Sequence, residues 1–311
     1  MPNDSIWVVK DSDPILPKSD LVDNILKFFG LSVSPSSSSS SASSIPLLMP
    51  KIDDIVTNTG FEAMTAGPSK YPQIKLDKQP KYRPYDAVVK LFNKVNSLKK
   101  SSGPAPGFYA IFSLGMKERD SLLLSNSKTY DETFSLPSTL SDDKFITCLE
   151  EHAPAYIEGL YWTQIFIASS ETGMELHHDN LHSHVYGIQL QGKKEFIFCS
   201  PDSWKDIGVP FQESEASKMD AFHPDLKKFP NFEKAGCVSV TLNPGDLVYW
   251  PSMWWHQSFV PAQTTAGGLS VSLSGMHLDK LKSWESRQNM LNMWRLDPAL
   301  VRRVEKCDGK L

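Results

Sequence analysis

The sequence holds only four cysteines in 311 residues, Cys148, Cys199, Cys237 and Cys307, and none falls in a CxxC or CxxxC spacing. That argues against both a zinc ribbon and a disulfide framework, so the expectation is reduced, mostly structural thiols in a reducing compartment. Basic charge is not in excess either. Lysine and arginine total 32 against 36 acidic residues, a formal net charge of −4 with histidine neutral. The broad basic footprint of a nucleic-acid binder is therefore missing, which disfavours a nucleic-acid partner without removing the option of a local basic patch. No stretch approaches the roughly 18 apolar residues of a membrane span. The first residues, MPNDSIWVVKDSDP, lack the basic-then-apolar order of a signal peptide. Cytoplasm or nucleus is the expected location, with no membrane partner.

What is present is ordinary globular material, 40% hydrophobic and 22% charged. Residues 1–31 contain DLVDNILKFFGL at 20–31, where Leu21, Ile25, Leu26 and Phe29 repeat at helical spacing before Gly30. A serine-rich linker follows at 32–50. Residues 51–155 read as a helical or mixed part packing on what comes next, with helices expected at 84–99 and 141–152. From 156 to 278 the character changes to short apolar runs between turn signals, among them YWTQIFIA, HVYGIQL, KEFIFCS, DLVYWP and LSVSLS. That spacing predicts an all-β barrel or sandwich. Residues 279–311 return to helix, and Leu281, Trp284, Leu291 and Trp294 form an apolar stripe. The stripe serves either a homodimer through 279–304 or packing on the chain's own barrel.

The informative segment is GMELHHDNLHSHVYG, which holds four histidines and one aspartate within eight positions. Residues i and i+2 of a strand share a face, so His177 and Asp179 point one way and His178 the other. A His-x-Asp pair plus a distant histidine makes the two-His-one-carboxylate set, which covers one face of an iron octahedron and leaves positions open for O2. The best distant partner is His256 in NPGDLVYWPSMWWHQS. His182 and His184 read as solvent or neighbouring residues rather than ligands.

Next comes GIQLQGKKEFIFCSP, in which Gly192 marks a turn and Lys194, Phe196 and Phe198 share a strand face. If that face looks inward, an ammonium sits beside phenylalanines and needs an anion, because burying an unpaired charge is costly. Periodicity alone leaves the opposite orientation equally open, with Lys194 in solvent and Ile197 inside.

These motifs, in this order, resemble the JmjC/cupin-type Fe(II)- and 2-oxoglutarate-dependent oxygenases, most closely the factor-inhibiting-HIF type of asparaginyl hydroxylase. LHHDN resembles the family's HxD, QLQGKKEFIFCSP its 2-oxoglutarate lysine strand, and NPGDLVYWPSMWWHQS its distal-histidine motif. HPDLKKFPNFEKA and GGLSVSLS resemble a spacer and the strand that closes the family barrel. The resemblance implies a mainly β fold with flanking helices, a double-stranded β-helix or jelly roll. It implies His177, Asp179 and His256 as Fe(II) ligands and Lys194 on the distal carboxylate of 2-oxoglutarate. It implies consumption of O2 and 2-oxoglutarate, giving succinate and CO2, with hydroxylation of a protein or peptide side chain. Lysine demethylation, RNA hydroxylation, or a cupin-like binding protein without turnover are the alternatives. The chain departs from relatives at Met174, where many carry a threonine or serine whose hydroxyl holds the co-substrate. Another hydroxyl is then expected to compensate, from Thr163 or from Ser270, Ser272 and Ser274, which alternate with apolar residues. A family tyrosine ahead of the barrel corresponds to Tyr109.

Overall fold

The β-branched and aromatic runs become strands that pair antiparallel throughout. The structure is a computed structural model that describes residues 5–9, 60–64, 109–114, 140, 143–152, 163–179, 183–209, 217–262, 269–277 and 307. The strands are β1 (Trp7–Val9), β2 (Gly60–Met64), β3 (Tyr109–Leu114), β4 (Thr163–Ser169), β5 (Thr172–His177), β6 (His184–Gln191), β7 (Lys194–Cys199), β8 (Val238–Leu242), β9 (Leu247–Trp250), β10 (Trp255–Val260) and β11 (Leu269–His277). One sheet has seven strands in the order β1-β9-β6-β11-β4-β3-β2, the other four in the order β5-β10-β7-β8.

Successive strands change sheet, β4 to β5 to β6 to β7 and again β9 to β10 to β11, which is the winding of a jelly roll. Gly192, at φ 72°, makes one such crossing in a backbone region that favours glycine. It therefore carries the chain between sheets rather than closing a hairpin, since β6 and β7 do not pair. The inner face of the four-stranded sheet carries Phe196 and Phe198, which pack with Val185, Leu242, Val248 and Trp250. Its outer face is covered by the segment after β7: Leu176, Cys199 and Trp255 lie against Ile207, Val209, Met219, Ala221 and Ala235.

The expected barrel is present, and the seven-stranded sheet also recruits β1, β2 and β3 from ahead of residue 156. Trp7–Val9 is a strand on β9, within a part read as helical. The helix expected at 141–152 is α1 (Lys144–His152), with Phe145 and Cys148 buried and Lys144 and Thr147 exposed. The helices expected at 20–31 and 84–99, the 32–50 linker and the Leu281, Trp284, Leu291, Trp294 stripe with its dimer lie outside the described residues. Among the described residues, no helix is long and apolar enough to cross a membrane.

The cysteine expectation is corrected. Cys199 pairs with Cys237 and Cys148 with Cys307 as disulfides. Distance along the chain gave no hint of this, yet register does: Phe198 faces Val238, and Cys199 and Cys237 are the next pair along the same ladder, with Cα atoms 4.3 Å apart. The ground on which the cysteines favoured a reducing compartment is thereby removed. Closing a loop of 38 residues restricts the unfolded chain by about 4 kcal/mol on the chain-entropy estimate. The Cys199→Ser/Cys237→Ser variant is expected to melt several degrees lower, and the native protein to lose at least that margin in reductant, which opens Cys148–Cys307 as well. Identical melting curves would contradict the bridge.

Candidate metal centre

β5 and β10 run antiparallel with His177 directly opposite His256. Asp179 follows β5 by two residues, so one ligand atom from each of the three side chains comes within 4.8 Å of the others. His177 Nε2 and His256 Nε2 each stand 3.9 Å from Asp179 Oδ1. Each ring is held by its other nitrogen: His177 Nδ1 donates to the Glu175 carbonyl at 2.7 Å and His256 Nδ1 to the Trp254 carbonyl at 3.1 Å. A carbonyl only accepts, so Nδ1 carries the proton of each neutral ring and Nε2 is the nitrogen turned to the common point, the arrangement of metal-bound histidines. Burial, reinforced by the neighbouring His177, pushes the His256 pKa down to about 4. His256 is then neutral near pH 7, and its contact with Asp179 is not an ion pair.

Asp179 is oriented as well. Its Oδ2 accepts from Trp250 Nε1 at 3.3 Å, which leaves Oδ1 toward the histidines. Such outer partners typically contribute roughly 10- to 100-fold to metal affinity. Trp250→Phe keeps an aromatic ring against Phe196 and Phe198 but removes the donor. The expected result is Mn(II) affinity weakened by about that factor in a competition titration, and an unchanged affinity would show that the indole does not orient Asp179.

A cavity of about 350 Å³ opens from this cluster between the two sheets. Lys194 reaches into it from β7 and is only 4% exposed, with Phe196 and Phe198 on the same face. The orientation that periodicity left open is thus inward. Lys194 Nζ lies 4.3 Å above the Phe166 ring, with the Tyr109 and Phe196 rings at 5.1 and 5.2 Å. Its hydrogen-bond partner is Ser272 Oγ at 3.3 Å, and among the described residues it has no acidic partner. Burial pushes its pKa down to about 7.

Tyr109 is buried beside Lys194 with its hydroxyl 3.2 Å from Ser258 Oγ, and burial pushes its pKa up. Ser272 and Ser274 line the cavity. Ser270 does not, which corrects the expectation that all three serines would face it. Gln189, itself on the cavity wall, donates to the Ser270 hydroxyl at 2.9 Å and occupies the space ahead of it. Thr163 begins β4 opposite Gly275, but its side chain lies outside the described residues. His178 packs edge-on against Trp255, and His184 stacks on Tyr249 with a 2.8 Å hydrogen bond to its hydroxyl. Neither joins the ligand group. His182 lies outside the described residues.

Sequence reasoning missed Trp250 and Ser258. The signal for Ser258 was available, since it stands two residues after His256 on the same strand.

Comparison with known proteins agrees with this architecture. Residues 86–280 match the family of the cupin-like domain. The HSPB1-associated protein 1 homolog of Danio rerio is 30% identical over 131 residues, 37% of this chain and 29% of that protein. HSPB1-associated protein 1 of Homo sapiens is 37% identical over 87 residues, 25% of this chain and 18% of that protein. The tRNA wybutosine-synthesizing protein 5 of Danio rerio is 29% identical over 129 residues, 41% of this chain and 37% of that protein. The aligned part therefore spans well under half the length of each of these relatives. With a jelly roll of two antiparallel sheets, a His-Asp-His cluster between them, and a family match across more than half of its length, the chain belongs to the cupin-like domain family.

Proposed function

We propose that the protein is an Fe(II)- and 2-oxoglutarate-dependent dioxygenase that hydroxylates a side chain of a protein or peptide, with 2-oxoglutarate and O2 converted to succinate and CO2. The observation that carries this reading is Lys194, a buried amine without an acidic partner among the described residues, in the same cavity as the His177, Asp179 and His256 cluster. A buried cation calls for an anion, and a dicarboxylate supplies one at each end. His177, Asp179 and His256 would hold Fe(II). Two imidazoles and a carboxylate without thiolate suit an iron that supplies oxidative chemistry with O2. Lys194 would pair with the distal carboxylate of 2-oxoglutarate, and Phe166, Phe196 and Tyr109 would keep that end free of water. The cavity volume is within the range for small-molecule sites.

A protein substrate is supported by similarity to proteins named for their association with HSPB1, and by a net charge of −4. The hydroxylases it would resemble in this role are the asparaginyl hydroxylases of the factor-inhibiting-HIF type. RNA is the second reading, favoured by the similarity to tRNA wybutosine-synthesizing protein 5. The test is succinate release from Fe(II)-loaded protein and 2-oxoglutarate, screened against peptide pools and total tRNA. Stimulation by peptides supports the first reading and stimulation by tRNA alone supports the second. Binding of 2-oxoglutarate without release under any condition would leave a binding protein that lacks turnover.

A further inference from the structure

The inner face of the four-stranded sheet is organised in rows across β5, β10 and β7. One row is His177, His256 and Phe198, and the next along β10 is Met174, Ser258 and Phe196. His177 and Met174 are three residues apart yet face the same side, because β5 has an irregular register here against His256 and Ser258. Ser258 therefore stands about 7 Å along the strand from the ligand His256. Its neighbour Phe196 is one of the three rings around the Lys194 amine. The two strands are pressed together at this point, since a Cβ on Gly173 would run into the Ser258 carbonyl oxygen. The serine is thus fixed between the metal cluster and the lysine, 3% exposed and on the cavity wall.

Its hydroxyl is paired with that of Tyr109, which reaches across from β3 in the opposite sheet. Two hydroxyls carry two protons, and their mutual hydrogen bond uses one. Neither oxygen has a further hydrogen-bond partner among the described residues, so one O–H remains to be donated within the cavity beside the Lys194 amine. A cation, a spare hydroxyl proton and the Ser272 hydroxyl in one apolar pocket make a receptor for a carboxylate. Met174, directly across the strand pair from Ser258, offers only a weakly accepting thioether.

We propose that Ser258, paired with Tyr109, supplies from β10 the hydroxyl that Met174 cannot supply from β5, and holds the distal carboxylate of the co-substrate beside Lys194. This rests on the reading of the cavity as a 2-oxoglutarate site. Position 258 lies one strand sideways from position 174 within a single row of the sheet. A hydroxyl restored at position 174 should then be interchangeable with the one at position 258.

The experiment is calorimetric titration of 2-oxoglutarate into the Mn(II)-loaded full chain. The proteins are native, Ser258→Ala, Ser258→Thr, Met174→Thr and the Ser258→Ala/Met174→Thr double variant, with Mn(II) affinity measured for each. Ser258→Ala is expected to weaken 2-oxoglutarate binding by about 10-fold or more while leaving Mn(II) affinity near native, the effect of one lost hydrogen bond to a charged group. Ser258→Thr keeps the hydroxyl and is expected to retain binding. The double variant is expected to regain most of the loss, and Met174→Thr alone to gain less than Ser258→Ala loses. Native affinity in Ser258→Ala would overturn the inference and leave the 2-oxoglutarate reading standing. So would a double variant no better than Ser258→Ala at equal Mn(II) affinity, because the serine would then act through packing. Failure of the native protein to bind 2-oxoglutarate would overturn the reading itself.

Discussion

The His177→Ala/Asp179→Ala double variant is expected to lose Fe(II) and Mn(II) binding and, with it, every 2-oxoglutarate-dependent activity. Two of three ligand atoms that gather within 4.8 Å are then gone, and His256 alone cannot chelate. The loss should exceed the roughly 10- to 100-fold that an outer partner such as Trp250 contributes. It should come without unfolding, because the side chains removed are 22% and 31% exposed and carry little of the core. A melting curve close to native, with metal absent by elemental analysis, is the expected pair of results. Full metal occupancy in this variant would place the metal elsewhere.

Lys194→Ala should separate the two ends of the cavity. Mn(II) affinity stays near native, since Lys194 is not among the ligand atoms, while 2-oxoglutarate binding weakens by about 10- to 150-fold through loss of a charge-assisted hydrogen bond. The pH dependence carries a distinct signature. Burial sets the Lys194 pKa to about 7 in the ligand-free protein, and a bound carboxylate favours the charged form and raises it. Above pH 7 the free protein is mostly neutral at this site, so binding takes up a proton and affinity falls as pH rises, by up to about tenfold per unit. Below pH 7 the amine is already charged and this dependence vanishes. Calorimetry in buffers of different ionisation enthalpy reads the proton uptake directly. It should disappear in Lys194→Ala, and unchanged 2-oxoglutarate affinity in that variant would show that the amine does not meet the co-substrate.

The metal cluster was legible because a strand alternates its faces: His177 and Asp179 were read as a pair two residues apart, and the WWH motif supplied His256. Lys194 was legible only as a choice between two faces. Packing decided it, because Phe196 and Phe198 fill the interior while Ile197 joins the outer cluster. Ser272 on β11, one of the hydroxyls expected, does meet the lysine, whereas the relation of Ser258 to Met174 was not legible. Position 174 and position 258 are neighbours only through the pairing of β5 with β10, and the register irregularity that turns Met174 inward leaves no mark in the alternation of a single sequence. Ser270 failed for a related reason, since the side chain that takes it up, Gln189, comes from a partner strand. The Cys199–Cys237 disulfide was hidden by a 38-residue separation that the β7–β8 ladder closes. Trp7–Val9 is three residues long, too short to show a period, and becomes a strand only because β9 offers an edge.

The central claim is that one cavity holds metal and 2-oxoglutarate together, and calorimetric titration of 2-oxoglutarate into the native protein with and without Mn(II) tests it most directly. The account predicts binding at one site per chain in the metal-loaded protein, and binding at least tenfold weaker without metal, where Lys194 holds only one end of the co-substrate. Absence of binding to the metal-loaded protein, or equal binding with and without metal, would contradict it.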